Sequence, residues 1–220
     1  SDEKLLTVDV ICHGTSNPII LMDYIHWLEE KYKSNIVNIT FRDKSVGWKR
    51  YPTRILFANG KVLQKSYDAQ LYIRMYFSLL ILEKRCYSCR FSNMDRVSDI
   101  TLGDFWGIDK ILPKIQAGKG VSLVIVNSEK GKKMLDIIEK GQNENEILIE
   151  YKGNCFLNFQ HNLNQPTEKP EHYEEFWNDY REKGFYYVVK KYKFYTIKGK
   201  FRFCVKTALI RFNYFDKRLS

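Results

Sequence analysis

Leu5-Leu6-Thr7-Val8-Asp9-Val10-Ile11 is an apolar run, short enough for a buried strand, that ends at the turn Cys12-His13-Gly14. The residues just after it decide the class of fold. Asn17-Pro18 is a helix start, a capping side chain followed by proline at the first helical position. Leu21, Tyr24, Ile25, Leu28 and Tyr32 then recur at three- and four-residue spacing, which gives a helix one apolar face. A strand delivering the chain through a turn into an amphipathic helix predicts an α/β architecture.

The same reading extends downstream. Val37, Ile39 and Phe41 alternate with polar residues and read as a half-buried strand. Residues 54–58 and 61–65 flank Asn59-Gly60, a favoured two-residue hairpin turn. Residues 68–82 read as a helix that leads to Cys86. Residues 99–102 form a strand opening into Gly103-Asp104-Phe105-Trp106-Gly107, and residues 122–126 form another. Ser128 then caps a helix with Met134, Leu135 and Ile138 turned inward, and residues 147–149 read as a further strand. Near residue 165 the composition changes: Pro166 and Pro170 mark a linker, and 15 of the 33 aromatic residues fall in the last 50 positions. The expected organisation is an α/β domain over residues 1–160, a mixed β-sheet flanked by helices, followed by a helical, aromatic and basic tail over residues 161–220.

Charge is concentrated in that tail. The 220 residues carry a formal +10, and residues 181–220, with 12 Lys/Arg against 2 Asp/Glu, account for all of it. No apolar run approaches the ~20 residues needed to cross a bilayer; the best, residues 76–82, is far shorter, and no basic-then-apolar leader opens the chain. Five cysteines, an odd number, fit a reducing cytoplasm better than a disulfide framework.

Chemistry concentrates in a few places. Cys86-Tyr87-Ser88-Cys89 has the spacing that lets two sulfurs face one centre, as in a zinc site, an iron–sulfur cluster or a dithiol couple. The dithiol reading is the least attractive, because this pair follows a helix and precedes a loop. Cys12 and His13-Gly14 stand where a strand runs out, and in open α/β sheets ligands collect beyond the carboxyl ends of strands. Gly103 to Gly107 combines two glycines, an acid and two large rings, a turn that can approach and stack on a flat ligand. Lys119-Gly120 can offer a cation and backbone N–H groups to a phosphate. Each of these has a bland counterpart: a buried cysteine, a strand-end turn with core aromatics, an exposed turn lysine. Cys155 and Cys204 read as small apolar residues.

Taken in order, Val8 to Gly14, Phe41-Arg42-Asp43-Lys44 with Gly47-Trp48, Cys86 with Cys89, Ser98 to Gly107, and Lys119 to Leu123 resemble the coenzyme F420 hydrogenase/dehydrogenase beta-subunit family, in its C-terminal domain. The resemblance covers residues 5 to about 151, and residues 165–192 look like the tail of bacterial members found beside polysaccharide-biosynthesis functions. It implies an iron–sulfur flavoprotein oxidoreductase that relays electrons between FAD, a [4Fe–4S] cluster and a redox partner such as a ferredoxin or an N-terminal ferredoxin-like domain. Cys12, Cys86 and Cys89 match three cluster ligands. His13, Gly14, Gly103, Asp104, Phe105, Trp106, Gly107, Lys119 and Gly120 are the candidate cofactor-binding residues, although much of the family's flavin-contacting region is missing from this sequence. The family's fourth ligand lies in a Thr-Pro-Cys-Gln type motif upstream of the opening strand, and no such motif occurs in these residues. The sequence therefore reads as the C-terminal portion of a longer protein.

A different class of function stands beside this one: a cofactor-free interaction module that works through its basic tail. Phe201, Val205, Ala208, Leu209 and Phe212 share a helical face with Lys200, Arg202, Lys206 and Arg211 around it, a pattern suited to an anionic membrane surface engaged by residues 194–220 at the inner leaflet of a cytoplasmic protein. Such a stripe can equally pack on the protein's own body. Nucleic-acid binding is disfavoured, since no recognised motif is present and the charge sits in a tail rather than a groove.

Overall fold

The computed structural model describes residues 4–43, 53–115, 118, 120–141 and 148–207. The chain divides into two compact units, each discontinuous in sequence. One joins residues 1–15 to 84–168; the other joins 16–83 to 169–220. The expected boundary near residue 160 follows composition. In space the C-terminal residues gather with 16–83, and the segment to 168 stays with the opening strand.

The first unit is built on a mixed three-stranded sheet of β1 (Val8–Val10), β5 (Ile100–Asp104) and β6 (Ser122–Val126), in the order β1-β5-β6. β1 runs parallel to β5, with Val10 opposite Leu102, and the pairing continues as the Ile11 N–H donates to the Leu102 carbonyl at 2.8 Å. β6 returns antiparallel to β5, with Asp104 opposite Ser122. Packed on this sheet are α3 (Ile108–Ile111), α4 (Glu129–Lys140), a 3₁₀ turn over Cys155–Phe159 and α5 (His161–Asn164). Phe105, Ile108, Leu123 and Leu163 are buried together, with Ile11, Val121, Ile125 and Phe156 around them. The expected Ser128 cap forms, its Oγ accepting from Gly131 N–H at 3.1 Å. Met134 and Leu135 are half-buried, but Ile138 is exposed, so the inward face of α4 is narrower than its apolar residues suggested. Residues 148 and 149 are not in a strand, and residue 147 lies outside the described residues.

The second unit holds its own sheet, so the strands expected in one sheet occupy two. β2 (Ile36–Thr40), β3 (Arg54–Phe57) and β4 (Val62–Gln64) form an antiparallel meander, and Asn59-Gly60 makes the turn of the β3–β4 hairpin. α1 (Pro18–Tyr32) starts as expected, with Asn17 Oδ1 accepting from Ile19 N–H at 3.0 Å, and buries Ile20, Tyr24 and Leu28. α2 spans only Leu71–Phe77. Ser66 Oγ takes the N–H groups of Asp68 and Ala69 in a turn ahead of it, and Ser78 Oγ donates to the Met75 carbonyl behind it. Both hydroxyls satisfy backbone groups flanking the short helix.

α6 (Tyr173–Lys191) is two helices joined at Gly184, where φ is +77°. They fold back on each other, so that Lys191 reaches Glu175 and Asp179 at 2.6 and 2.5 Å. Asp68, buried in this unit, gathers Tyr32 Oη, Tyr195 Oη and Lys31 Nζ at 2.6, 2.7 and 2.6 Å. Burial alone would raise its carboxyl; the bonds from Lys31, Tyr195 and Tyr32 outweigh that and hold it below its ordinary value.

Candidate functional site

Parallel pairing of β1 and β5 brings their carboxyl ends to one edge of the sheet, and with them the two turns singled out in the sequence. Cys12-His13-Gly14 leaves β1 there, and Gly103 to Gly107 ends β5. Gly120 joins them: the next residue, Val121, accepts the Phe105 N–H at 2.9 Å where β6 begins. Ligands of open α/β sheets gather at such an edge. Lys119 lies outside the described residues, as do Lys44, Gly47 and Trp48.

The two glycines of the second turn serve packing. A methyl group at Gly103 would stand 2.5 Å from the Ile11 side chain, so the strands meet closely where β1 ends. Gly107 has φ +77° and caps α3, and a methyl group there would sit inside the Phe159 ring. The two rings between them divide their roles. Phe105 is 5% exposed and meets Tyr151 and Phe156 edge-on in the core, which corrects the expectation that its ring offers a stacking surface. Trp106, by contrast, is 40% exposed.

The Cys86–Cys89 segment reaches the same region. Its first part is a 3₁₀ turn, Lys84–Ser88, and Cys86 Sγ accepts from Thr15 N–H at 3.4 Å, directly after the Cys12-His13-Gly14 turn. Downstream, Arg96 fastens the loop to β1: its guanidinium pairs with Asp9 at 2.7 Å and donates to the Val10 carbonyl at 3.3 Å. Burial raises the Asp9 carboxyl, but hydrogen bonds from Thr101 and Arg96 carry it below its ordinary value. Cys12 is exposed, and Cys86 and Cys89 are half-buried. Among the described residues no group of three or more His, Cys, Asp and Glu side chains stands close enough to hold a metal ion, so the three cysteines do not form a closed ligand set here.

Sequence reasoning missed the segment that ties the two turns together. Gln160 Nε2 donates to the Asp104 carbonyl at 3.0 Å, and Thr167 Oγ1 donates to the His13 carbonyl at 2.8 Å. Gln160 is 1% exposed and Thr167 5%. Between them, Asn162 hydrogen-bonds the His13 imidazole, and Leu163 sits in the core. Burial pushes His13 below its ordinary pKa; the Asn162 bond opposes this, and His161 nearby adds to it. No periodicity flags Gln160 or Thr167, because a buried polar residue is recognised only once its partners are known. Missed as well was an open groove of about 670 Å³ in the second unit, between Trp27, Glu30 and Lys31 on α1 and Tyr186, Val189, Lys190 and Tyr195.

The sequence profile described as the C terminus of the coenzyme F420 hydrogenase/dehydrogenase beta subunit matches residues 1–149. The chain belongs to this family. The match covers β1 to α4 and stops short of Gln160, Asn162 and Thr167. No curated protein and no solved structure matches the chain significantly. Family membership makes this an oxidoreductase-type domain of the F420 hydrogenase/dehydrogenase beta-subunit kind.

Of the groups the resemblance implies, the cluster suits the donors present in kind. Cysteine sulfur is the donor such clusters take, and the Cys86 sulfur lies 3.4 Å from the Thr15 N–H and 3.8 Å from the Thr15 carbonyl. In number, three cysteines, Cys12, Cys86 and Cys89, fall one short of the four thiolates a [4Fe–4S] cluster takes.

Proposed function

We propose that the first unit is an electron-transfer domain in which Cys12, Cys86 and Cys89 supply thiolates to an iron–sulfur cluster, and the turns at His13-Gly14 and Gly103–Gly107, with Gly120, border an FAD. One observation carries this reading: the Cys86 sulfur meets the backbone that follows Cys12, at the sheet edge where β1 and β5 both end. When bound, such groups supply one-electron relay between a flavin and a redox partner such as a ferredoxin. The chain's own part is to hold the two turns at a fixed separation, to direct the Thr15 N–H at a sulfur, and to keep the His13 imidazole neutral beside Cys12.

Iron and acid-labile sulfide assays, with an absorption spectrum, on anaerobically purified protein test the reading. Cys12→Ala, Cys86→Ala and Cys89→Ala should each lower iron content severalfold, while Cys155→Ala and Cys204→Ala leave it unchanged. Equal iron content in all five variants would exclude these ligands. Trp106→Ala should lower flavin content in the same preparations more than it lowers thermal stability.

A further inference from the structure

The basic helix over residues 197–207 presents a face that the other described residues of its unit leave exposed. Residues 197–207 are helical. At about 100° per residue, Ile197, Phe201 and Val205 form one ridge, and Gly199, Phe203 and Thr207 form a face roughly opposite. The two faces have different environments. Gly199 is packed so closely that a methyl group there would lie 2.4 Å from Tyr67 Oη, and the Phe203 ring meets the Tyr67 ring at 5.6 Å. Gly199, Phe203 and Thr207 are all half-buried. Ile197, Phe201 and Val205 are 91%, 70% and 42% exposed.

An apolar stripe on a basic helix normally has two fates, packing on its own protein or meeting an outside apolar phase. Here Gly199 and Phe203 already do the packing, which leaves the larger apolar ridge outward. The charge around that ridge has one sign. Lys198, Lys200, Arg202 and Lys206 are all exposed on the same helix, and from residue 183 to residue 207 the sequence contains no Asp or Glu. A second copy of this helix would bring like charges together, whereas an anionic lipid surface complements both the cations and the ridge. No described helix is long and apolar enough to cross a membrane, so the geometry suits lying in the interface.

We propose that residues 197–207 are a docking helix for anionic lipid surfaces, seated on the protein through Gly199 and Phe203 and entering the headgroup region through Ile197, Phe201 and Val205. The cations draw the helix to the surface and the ridge holds it there, so binding requires both.

The test is co-sedimentation of the full chain with vesicles of phosphatidylcholine alone and of phosphatidylcholine with phosphatidylserine. The parent should bind the anionic vesicles at least tenfold better, and raising salt from about 0.1 to about 0.5 M should remove most of that preference. A triple Ile197→Ser, Phe201→Ser, Val205→Ser variant should bind about tenfold less while melting within a few degrees of the parent, about the loss expected from the half-covered Val205 alone. Lys198→Glu with Arg202→Glu should lose the preference for anionic vesicles. Equal binding of both vesicle types, or unchanged binding by the triple variant, would overturn the proposal. So would a parent that forms dimers in analytical ultracentrifugation where the triple variant is monomeric and vesicle binding is the same in both, because the ridge would then be a self-association face.

Discussion

Thr167 donates its hydroxyl to the carbonyl of His13 across 154 positions of sequence, at 2.8 Å. Together with the Gln160 bond to Asp104, it holds the ends of β1 and β5 from a segment beyond the family match. Replacing Thr167 by Val keeps the side-chain shape and removes both the bond to the His13 carbonyl and the one that Asn162 Nδ2 donates to the hydroxyl at 3.0 Å, at a cost of about 1–3 kcal/mol. Amide exchange should quicken at residues 12–15 in Thr167→Val and at residues 104–107 in Gln160→Ala, while Thr167→Ser behaves as the parent. Uniform acceleration over the whole first unit would mean that these bonds only stabilise it globally.

His13 should titrate below the ordinary histidine value of about 6.5, because burial disfavours the imidazolium. The Asn162 bond favours the charged form, so Asn162→Ala should move the midpoint lower still. The sign for stability is then fixed. An imidazole whose folded pKa is depressed contributes stability that is present above the unfolded value and falls as pH drops through the folded one. Two-dimensional NMR of the His13 ring in parent and variant reads both midpoints. A rise in Asn162→Ala would mean that Asn162 holds the neutral form.

Phe105 and Trp106 are adjacent, yet removing them should have opposite effects. Phe105→Ala empties a position in the core beside Ile108, Leu123 and Leu163 and should cost about 3–5 kcal/mol. Trp106→Ala removes a ring that is already 40% exposed and should cost well under half as much. Urea denaturation of the two variants compares them directly. Comparable losses would place Trp106 in the core and remove its ring as a ligand surface.

The contrast between those rings shows where the sequence was informative. Periodicity identified strands, caps and turns because these depend on neighbours: Asn17 before Pro18, Asn59-Gly60 between two strand runs, Ser128 ahead of α4. The resemblance pointed to the family, and parallel pairing of β1 with β5 gave its two turns one edge. What depends on distant partners was not legible. Nothing local separates Phe105 from Trp106, makes Gln160 a donor to Asp104, or tells that the strands form two sheets. The tail is helical, as expected, over much of its described part up to residue 207, but Gly199 and Phe203, which seat residues 197–207, are not in the stripe that drew attention. Ala208, Leu209, Arg211 and Phe212 of that stripe lie outside the described residues.

Asp99 should govern how the first unit responds to acid. Its carboxylate accepts from Ser128 Oγ at 2.6 Å, from Thr7 N–H and Thr7 Oγ1 at 2.8 Å each, and pairs with Lys130 Nζ at 3.2 Å. It thus joins the residue ahead of β1 to the cap of α4. Hydrogen bonds from Ser128 and from the Thr7 backbone, in that order, hold it far below the ordinary aspartate value and outweigh the opposing effect of burial. A depressed carboxylate contributes stability that is complete above its unfolded pKa, about 3.9, and is lost as pH falls from there through the folded value. The Asp99 contribution to the denaturation midpoint should therefore be constant near neutrality, where only the His13 loss acts, and be lost steeply below about pH 4. Asp99→Asn should be less stable at neutral pH, because the amide cannot match four charge-assisted contacts. Its midpoint should also change less between about pH 4 and pH 2, because the titrating group is gone. A variant that keeps the parent's acid slope would assign that slope to other depressed carboxylates, with Asp9, also in the first unit, the first to replace.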